Sequence, residues 1–383
     1  MTIDCKPSKL TVRVYNVGFG DCFLLTFQYA ARDRHVLIDF GSTGNVGESG
    51  LLLRIAKDIS KRCTGKLDAV VATHRHRDHV NGFATRKDGR GPGDIIAACR
   101  PELVVQPWTE HPEAPSGTCF CLFEERAGFI GENNLPNLSA VKNLQKMGRG
   151  NRYVHFGSDS GLESLLPGVT AQVLGPPTLQ QSQSIRKKRA EDRGEFWLTR
   201  APFTHTAGSR LFPGAATCPA SGRAPDTRWF LRRLRGLRSQ RLLEIVRQLD
   251  AVLNNTSVIL LFEVGNKKLL FPGDAQIENW SYALSHPRVR EMLAGVDLYK
   301  VGHHGSRNAT PKSLWNLFTR RSATPNPERL RTILSTMAHK FGEVDQGTEV
   351  PRVSLVKTLK AQSDFFSTQD IQGKLYEDIC INF

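Results

Sequence analysis

The ten residues Thr73-His74-Arg75-His76-Arg77-Asp78-His79-Val80-Asn81-Gly82 hold three of the chain's 11 histidines and an aspartate, directly after the apolar run Leu67-Asp68-Ala69-Val70-Val71-Ala72. A polar loop rich in histidine by chance rarely places them at this spacing where a buried strand ends. An extended segment sends alternate side chains to one side. His74 and His76 can therefore grip one ion together, while the turn that follows delivers Asp78 and His79 to a second. Imidazole and carboxylate donors of this kind suit Zn2+ first, with Mn2+ or Fe also compatible. Arg75 and Arg77 are expected to point the other way, toward solvent or substrate.

Two later stretches extend the pattern. Leu269-Leu270-Phe271-Pro272-Gly273-Asp274 reads as a strand ending in Gly-Asp, and Leu298-Tyr299-Lys300-Val301 leads into Gly302-His303-His304-Gly305-Ser306. Two neighbouring cations need a carboxylate to bridge them, and Asp274, alone at the end of a buried strand, is the candidate. His303 or His304 would complete the second metal. On a strand their side chains diverge, so one is expected to bind metal while the other faces substrate or the core, and spacing does not choose between them.

Together these stretches resemble the signature of the metallo-β-lactamase superfamily, over about residues 11–100 and 165–360. The His-His-Gly-Ser ending, with Val12-Arg13-Val14-Tyr15-Asn16-Val17-Gly18-Phe19-Gly20-Asp21 at the front, is similar to the branch that includes the soluble hydrolase domain of bacterial competence (DNA-uptake) proteins. The resemblance implies an α/β fold, an αββα sandwich, around a one- or two-metal hydrolytic centre. It implies that Asp39 braces the metal-binding loop rather than ligating. Two cations would lower the pKa of a bridging hydroxide that attacks a phosphorus or carbonyl centre, with Asp78 either a ligand of the second metal or the catalytic base. The chain departs from the commonest family pattern, because His111, His155 and His205 are the only histidines between the first motif and Asp274 and their surroundings are unsuitable. Asn254-Asn255-Thr256-Ser257 resembles a stretch of the competence-like branch, so water, substrate or Asn255 would fill the gap. Ser306 and His339 are further candidates for substrate contact.

At 383 residues, 39% hydrophobic and 23% charged, the chain has the length and composition of a globular protein, and it is read as one domain, 1–383, with insertions at about 109–165 and 178–250. The formal charge of +15 favours polyanionic partners. It is concentrated in the second insertion: residues 186–247 carry 15 basic and 5 acidic side chains. Within it, Trp229 to Val246 has apolar residues near helical spacing with Arg between them. That pattern suits an amphipathic helix laid on nucleic acid phosphates or a partner, and equally a surface helix with its Arg in water. Eight Cys are scattered without a framework and read as reduced thiols. No apolar leader and no run long enough to span a membrane is visible, and a cytoplasmic location is expected.

Along the chain, residues 11–17, 22–28 and 34–39 read as a β meander, and 48–63 as a helix returning to the strand at 67–73. A strand at 102–108 follows, then a poorly patterned stretch with a helix near 135–147. The second half is read as a strand at 167–175 ended by prolines, a hairpin across Gly265-Asn266, and helices from Ile277 and Arg288. Strands at 297–301 and 331–336 and a helix from Val353 to Leu359 complete it.

The first expectation is a metal-dependent hydrolase of phosphodiester bonds, with those of nucleic acid among the candidates. The second is a hydrolase of a small ester, amide or thioester, since one fold serves many substrates. The third is a partner-binding component of a larger assembly whose metal site is vestigial.

Overall fold

The computed structural model describes residues 6–44, 50–112, 138–186, 189, 192–198, 253–344 and 347–383. Met1–Leu198 and Ala251–Phe383 together make one compact unit. The helical reading of Trp229 to Val246, His205, and all of the Arg-rich segment except parts of 186–198 lie outside the described residues.

The first half opens with three antiparallel strands, β1 (Lys9–Tyr15), β2 (Cys22–Gln28) and β3 (Arg34–Phe40). Helix α1 (Leu51–Arg62) then crosses over to β4 (Ala69–Val71), which lies parallel to β3. The short helices α2 (Arg77–Val80) and α3 (Pro92–Ala98) lead to β5 (Leu103–Pro107), and α4 (Leu138–Lys146) leads to β6 (Gly150–Val154). The second half repeats the scheme. β7 (Val169–Gly175), β8 (Ile259–Val264) and β9 (Lys267–Phe271) are antiparallel. Helices α5 (Ile277–Leu284) and α6 (Pro287–Ala294) precede β10 (Leu298–Lys300), and α7 (Lys312–Leu317) precedes β11 (Arg331–Leu334). α8 (Val353–Gln362), β12 (Asp364–Ser367) and β13 (Tyr376–Asn382) end the chain.

The strands form two mixed sheets, ordered β13-β1-β2-β3-β4-β5-β6 and β12-β11-β10-β9-β8-β7. Period-two alternation explains how they stack. Leu10, Val12 and Val14 of β1 share one buried cluster with Phe23, Leu25 and Phe27 of β2 and with Val169, Phe262, Phe271 and Ile333 of the other sheet. The opposite face of the first sheet (Leu24, Leu37, Val70, Val104) packs on Ile55, Ile59, Ile96 and Leu144 of its helices. Ile259, Leu270 and Tyr299 of the second sheet pack on Trp280, Leu293, Leu314 and Leu355. The layers run helix, sheet, sheet, helix, and central strands buried on both faces read as near-continuous apolar runs. Among the described residues no helix is long and apolar enough to cross a membrane. Cys22, Cys63, Cys99 and Cys380 are free thiols, and the other four Cys lie outside the described residues.

The helices expected at 48–63, near 135–147, from Ile277, from Arg288 and at Val353–Leu359 form with ends within about three residues of those places, whereas α2, α3, α7 and the edge strands β6, β12 and β13 were not anticipated. The stretch read as the first insertion supplies α4 and the edge strand β6, whose burial is partial and whose Gly150-Asn151-Arg152 start carries little strand signal. β13 returns to pair antiparallel with β1, Lys9 opposite Asn382.

Two expected results follow from the packing. Trp280 is fully buried between α5 and the second sheet, its indole N–H donating to the Ala309 carbonyl at 3.1 Å. Trp280→Ala should lower unfolding free energy by about 3–5 kcal/mol, read from the urea midpoint. His35 of β3 is 4% exposed, with Nδ1 3.1 Å from Thr26 Oγ1. Burial, with help from Arg62, lowers its pKa to about 4. The unfolded chain therefore takes up this proton near pH 6.5 and the folded one only near pH 4. The contribution is complete above pH 6.5 and is lost as pH falls toward 4, to the extent of about 3 kcal/mol. His35→Gln should flatten that part of the stability–pH curve measured by urea titration; an unchanged slope would refute the assignment.

Candidate metal centre

Every group of the first motif stands where a strand of one sheet ends, and the second sheet meets it from across the core. Parallel strands bring their carboxyl ends to one edge, the usual place for a site in such sheets. Asp39 ends β3, Thr73 and His74 follow β4, and α2 carries Asp78 and His79. Asp274 follows β9, and His303 and His304 follow β10 in a tight turn. Backbone contact locks the β1–β2 turn onto the motif: Asp21 N–H donates to Asp78 O at 2.9 Å and Gly41 N–H to Asp21 O at 3.0 Å. Only glycine fits there. A Cβ on Gly20, at φ +147°, would lie 2.7 Å from Asp78 O, and one on Gly41 would lie 2.3 Å from the Asp78 carbonyl carbon.

Four imidazole nitrogens converge on one carboxylate oxygen. Asp274 Oδ2 lies 3.0 Å from His79 Nε2, 3.6 Å from His304 Nε2, and 3.9 Å from both His74 Nε2 and His303 Nε2. None of these contacts is aligned as a hydrogen bond, so Asp274 Oδ2 and His79 Nε2, both buried, go without one. Asp78 Oδ2 stands 3.1 Å from His304 Nε2, and His74 Nε2 is 3.0 Å from His76 Nδ1. One donor atom each from Asp78, His79, Asp274 and His304 fits within 4.8 Å. A buried carboxylate oxygen without an aligned hydrogen bond is costly, and this nitrogen-and-carboxylate set fits divalent cations of the zinc class.

The imidazoles are held by their outer nitrogens. His79 Nδ1 meets Asp39 Oδ2 at 2.7 Å, and Asp39 also accepts from the Thr73 N–H and hydroxyl, each at 2.7 Å. His304 Nδ1 donates to Ser335 O at 2.9 Å. Each bond fixes the tautomer that leaves Nε2 facing Asp274. Backbone strain gathers here as well: of six non-glycine residues at positive φ among the described residues, Asp39 (54°), His303 (44°) and His304 (51°) belong to this site. Such conformations cost of order 1–3 kcal/mol each and persist where the surroundings impose them.

The electrostatics are tightly balanced. Burial alone would raise the Asp274 carboxyl, but His79, His304, His303 and the Lys300 ammonium hold it well below the usual carboxylate range. Burial opposes charge on His79, yet Asp274, Asp39 and Asp21 raise its pKa well above the ordinary value. His74, with burial and then His79 and His76 against it, is pushed well below its ordinary value and stays neutral.

The structure brings Asp78, His79, Asp274 and His304 together, with buried His74 and half-buried His76 beside them and His303 at the edge, 26% exposed. The expectation that His303 and His304 diverge from a strand is corrected: both sit in a left-handed turn past the strand end, so both face Asp274, and only His304 reaches Asp78. His303 Nδ1 lies 3.0 Å from Ser306 Oγ, which links Ser306 to the same rim. Arg75 does not serve solvent or substrate; its guanidinium binds buried Glu110 at 2.8 Å. Asn255 is buried, its amide donating to Ile185 O at 3.5 Å, while Ser257 Oγ accepts the Asp274 N–H at 3.2 Å. His111 packs on the Tyr153 ring and His155 bonds within its own loop, so neither joins the centre. Sequence reasoning missed Lys300 and Asp21, which form a buried ion pair beside Asp274. The signal was available: a lysine inside the apolar strand Leu298-Tyr299-Lys300-Val301 needs a buried partner.

Neither a protein-family model nor a curated protein matches the chain.

Proposed function

We propose that this chain is a metal-dependent hydrolase of the metallo-β-lactamase superfamily, similar to its competence-like branch, acting on phosphodiester bonds. The observation that carries the reading is the buried Asp274 oxygen, free of hydrogen bonds and ringed by His74, His79, His303 and His304. The four-layer order of helices and sheets supports it, as does the position of both motif halves at strand ends.

His74, His76 and His79 from the first half, with Asp78, Asp274 and His304, would hold one or two zinc ions. When bound, such ions supply Lewis acidity and a low-pKa water. The chain's own groups do the rest. Asp39 and Ser335 orient His79 and His304; against the effect of burial, Asp78, at 15% exposure, is held well below the usual carboxylate range by His304 and His79, which suits it to serve as a ligand more than as a base. His303, 26% exposed and backed by the buried Ser306 hydroxyl, would offer a donor to a phosphate oxygen.

The net charge of +15 favours a polyanionic substrate over a small neutral ester. The test is bound metal by elemental analysis together with hydrolysis of bis(p-nitrophenyl) phosphate, before and after chelation. Activity lost on chelation and restored by Zn2+ or Mn2+ is expected. Bound metal with no diester cleavage would shift the reading to a small ester or amide. With DNA or RNA fragments, activity falling steeply between about 50 and 200 mM salt would mark a nucleic acid substrate.

A further inference from the structure

Next to the metal centre, and sharing His79 with it, lies a second acidic group: Asp21, Asp39 and His79 bring donor atoms within 4.8 Å. By composition it could be taken for another cation site. It already holds a cation, because the Lys300 ammonium forms a close ion pair with Asp21 Oδ2, donates to Gly273 O at 2.9 Å, and stands 3.5 Å from Asp274 Oδ1. All its partners are buried, and Lys300 itself is 1% exposed.

The asymmetry of these contacts matters. Asp274 uses Oδ1 to accept the His303 N–H at 3.1 Å and the distant ammonium, which leaves Oδ2 to the imidazoles. An ammonium free to move onto Asp274 would compete with a divalent cation for that carboxylate. Asp21 draws it the other way. We propose that Asp21 is a positioning residue that acts through Lys300: it holds the ammonium off the metal-facing side of Asp274 and so keeps that carboxylate available to metal. On this view Asp21 and Lys300 are a charge-matched pair, and either one alone is harmful. The inference rests on the metal-centre reading above.

The test is a cycle of near-isosteric variants, Asp21→Asn, Lys300→Met and the double variant, with Zn2+ affinity measured by competition against a chromophoric chelator and folding followed by circular dichroism. Asp21→Asn should bind Zn2+ about 10- to 100-fold more weakly, the usual cost of losing a supporting group. Adding Lys300→Met should return affinity to within about threefold of the parent. If Asp21→Asn fails to fold, a double variant that folds and binds Zn2+ still supports the pair, because the unmatched buried ammonium is then what broke the fold. A double variant no better than Asp21→Asn would overturn the proposal, since Asp21 would then act directly on His79 or His304, 3.7 and 3.8 Å from its oxygens. Asp21→Asn with unchanged Zn2+ affinity would overturn it too. A parent protein that binds no Zn2+ would instead remove the metal-centre reading itself.

Discussion

Asp274→Ala is expected to remove bound metal and to lower bis(p-nitrophenyl) phosphate hydrolysis by at least about 10³-fold, since cations at such a site supply several kcal/mol of transition-state stabilisation. The reason is local. Asp274 Oδ2 is the one atom that His79, His304, His74 and His303 all face, so its loss leaves donors with no shared centre. Metal content by elemental analysis and steady-state kinetics check it, with circular dichroism to confirm the fold. Retained hydrolysis after loss of metal would place the chemistry elsewhere in the chain. A biological effect that survives in the inactive variant would favour a partner-binding role with a vestigial site.

Gly41→Ala should have an effect nearly as large on metal binding through a different cause. The added methyl would lie 2.3–2.6 Å from backbone atoms of Arg77, Asp78 and His79, and none of these is a flexible side-chain end that could swing aside. Either the turn after β3 or α2 must shift, and overpacking of this kind costs about 1–3 kcal/mol or more. A shift of α2 moves Asp78 and His79 together. Zn2+ affinity should fall by more than about 10-fold, with circular dichroism to confirm that the sheets remain folded. Unchanged affinity would mean that the motif is not held by this contact.

These residues also explain what the sequence made legible. His74, His76, Asp78 and His79 are contiguous, so their spacing declared a site, and Asp274 was conspicuous as the acid ending an apolar strand. The helices of the outer layers announced themselves through one-sided apolar spacing, as with Ile55 and Ile59. Geometry beyond the strand ends was hidden. That His303 and His304 face the same oxygen depends on two successive left-handed residues, and nothing in the letters His-His-Gly-Ser announces positive φ at either histidine. Arg75 was assigned to solvent because local alternation says where a side chain points, not that Glu110, 35 positions on, waits there. β13 escaped because its partner lies in β1, with Thr11 and Cys380 369 positions apart, and its half-exposed Tyr-Glu-Asp-Ile-Cys-Ile-Asn lacks the apolar run of a central strand. Asp21 and Lys300 were each in quoted motifs, but their pairing joins opposite halves of the chain.

The double sheet carries one more consequence. A large apolar cluster lies between the sheets and draws on both halves of the chain, from Leu10 and Val12 to Phe271 and Ile333. Small zinc domains collapse when stripped because the ion substitutes for a core. On the proposed metal-centre reading, the frame would outlast the ion. Such a protein can be emptied, refilled and exchanged from one cation to another while folded, so which metal it carries in a cell would reflect supply and affinity at the moment of use rather than at folding. Its melting temperature, rising with the logarithm of free cation, would then serve as a gauge of that supply.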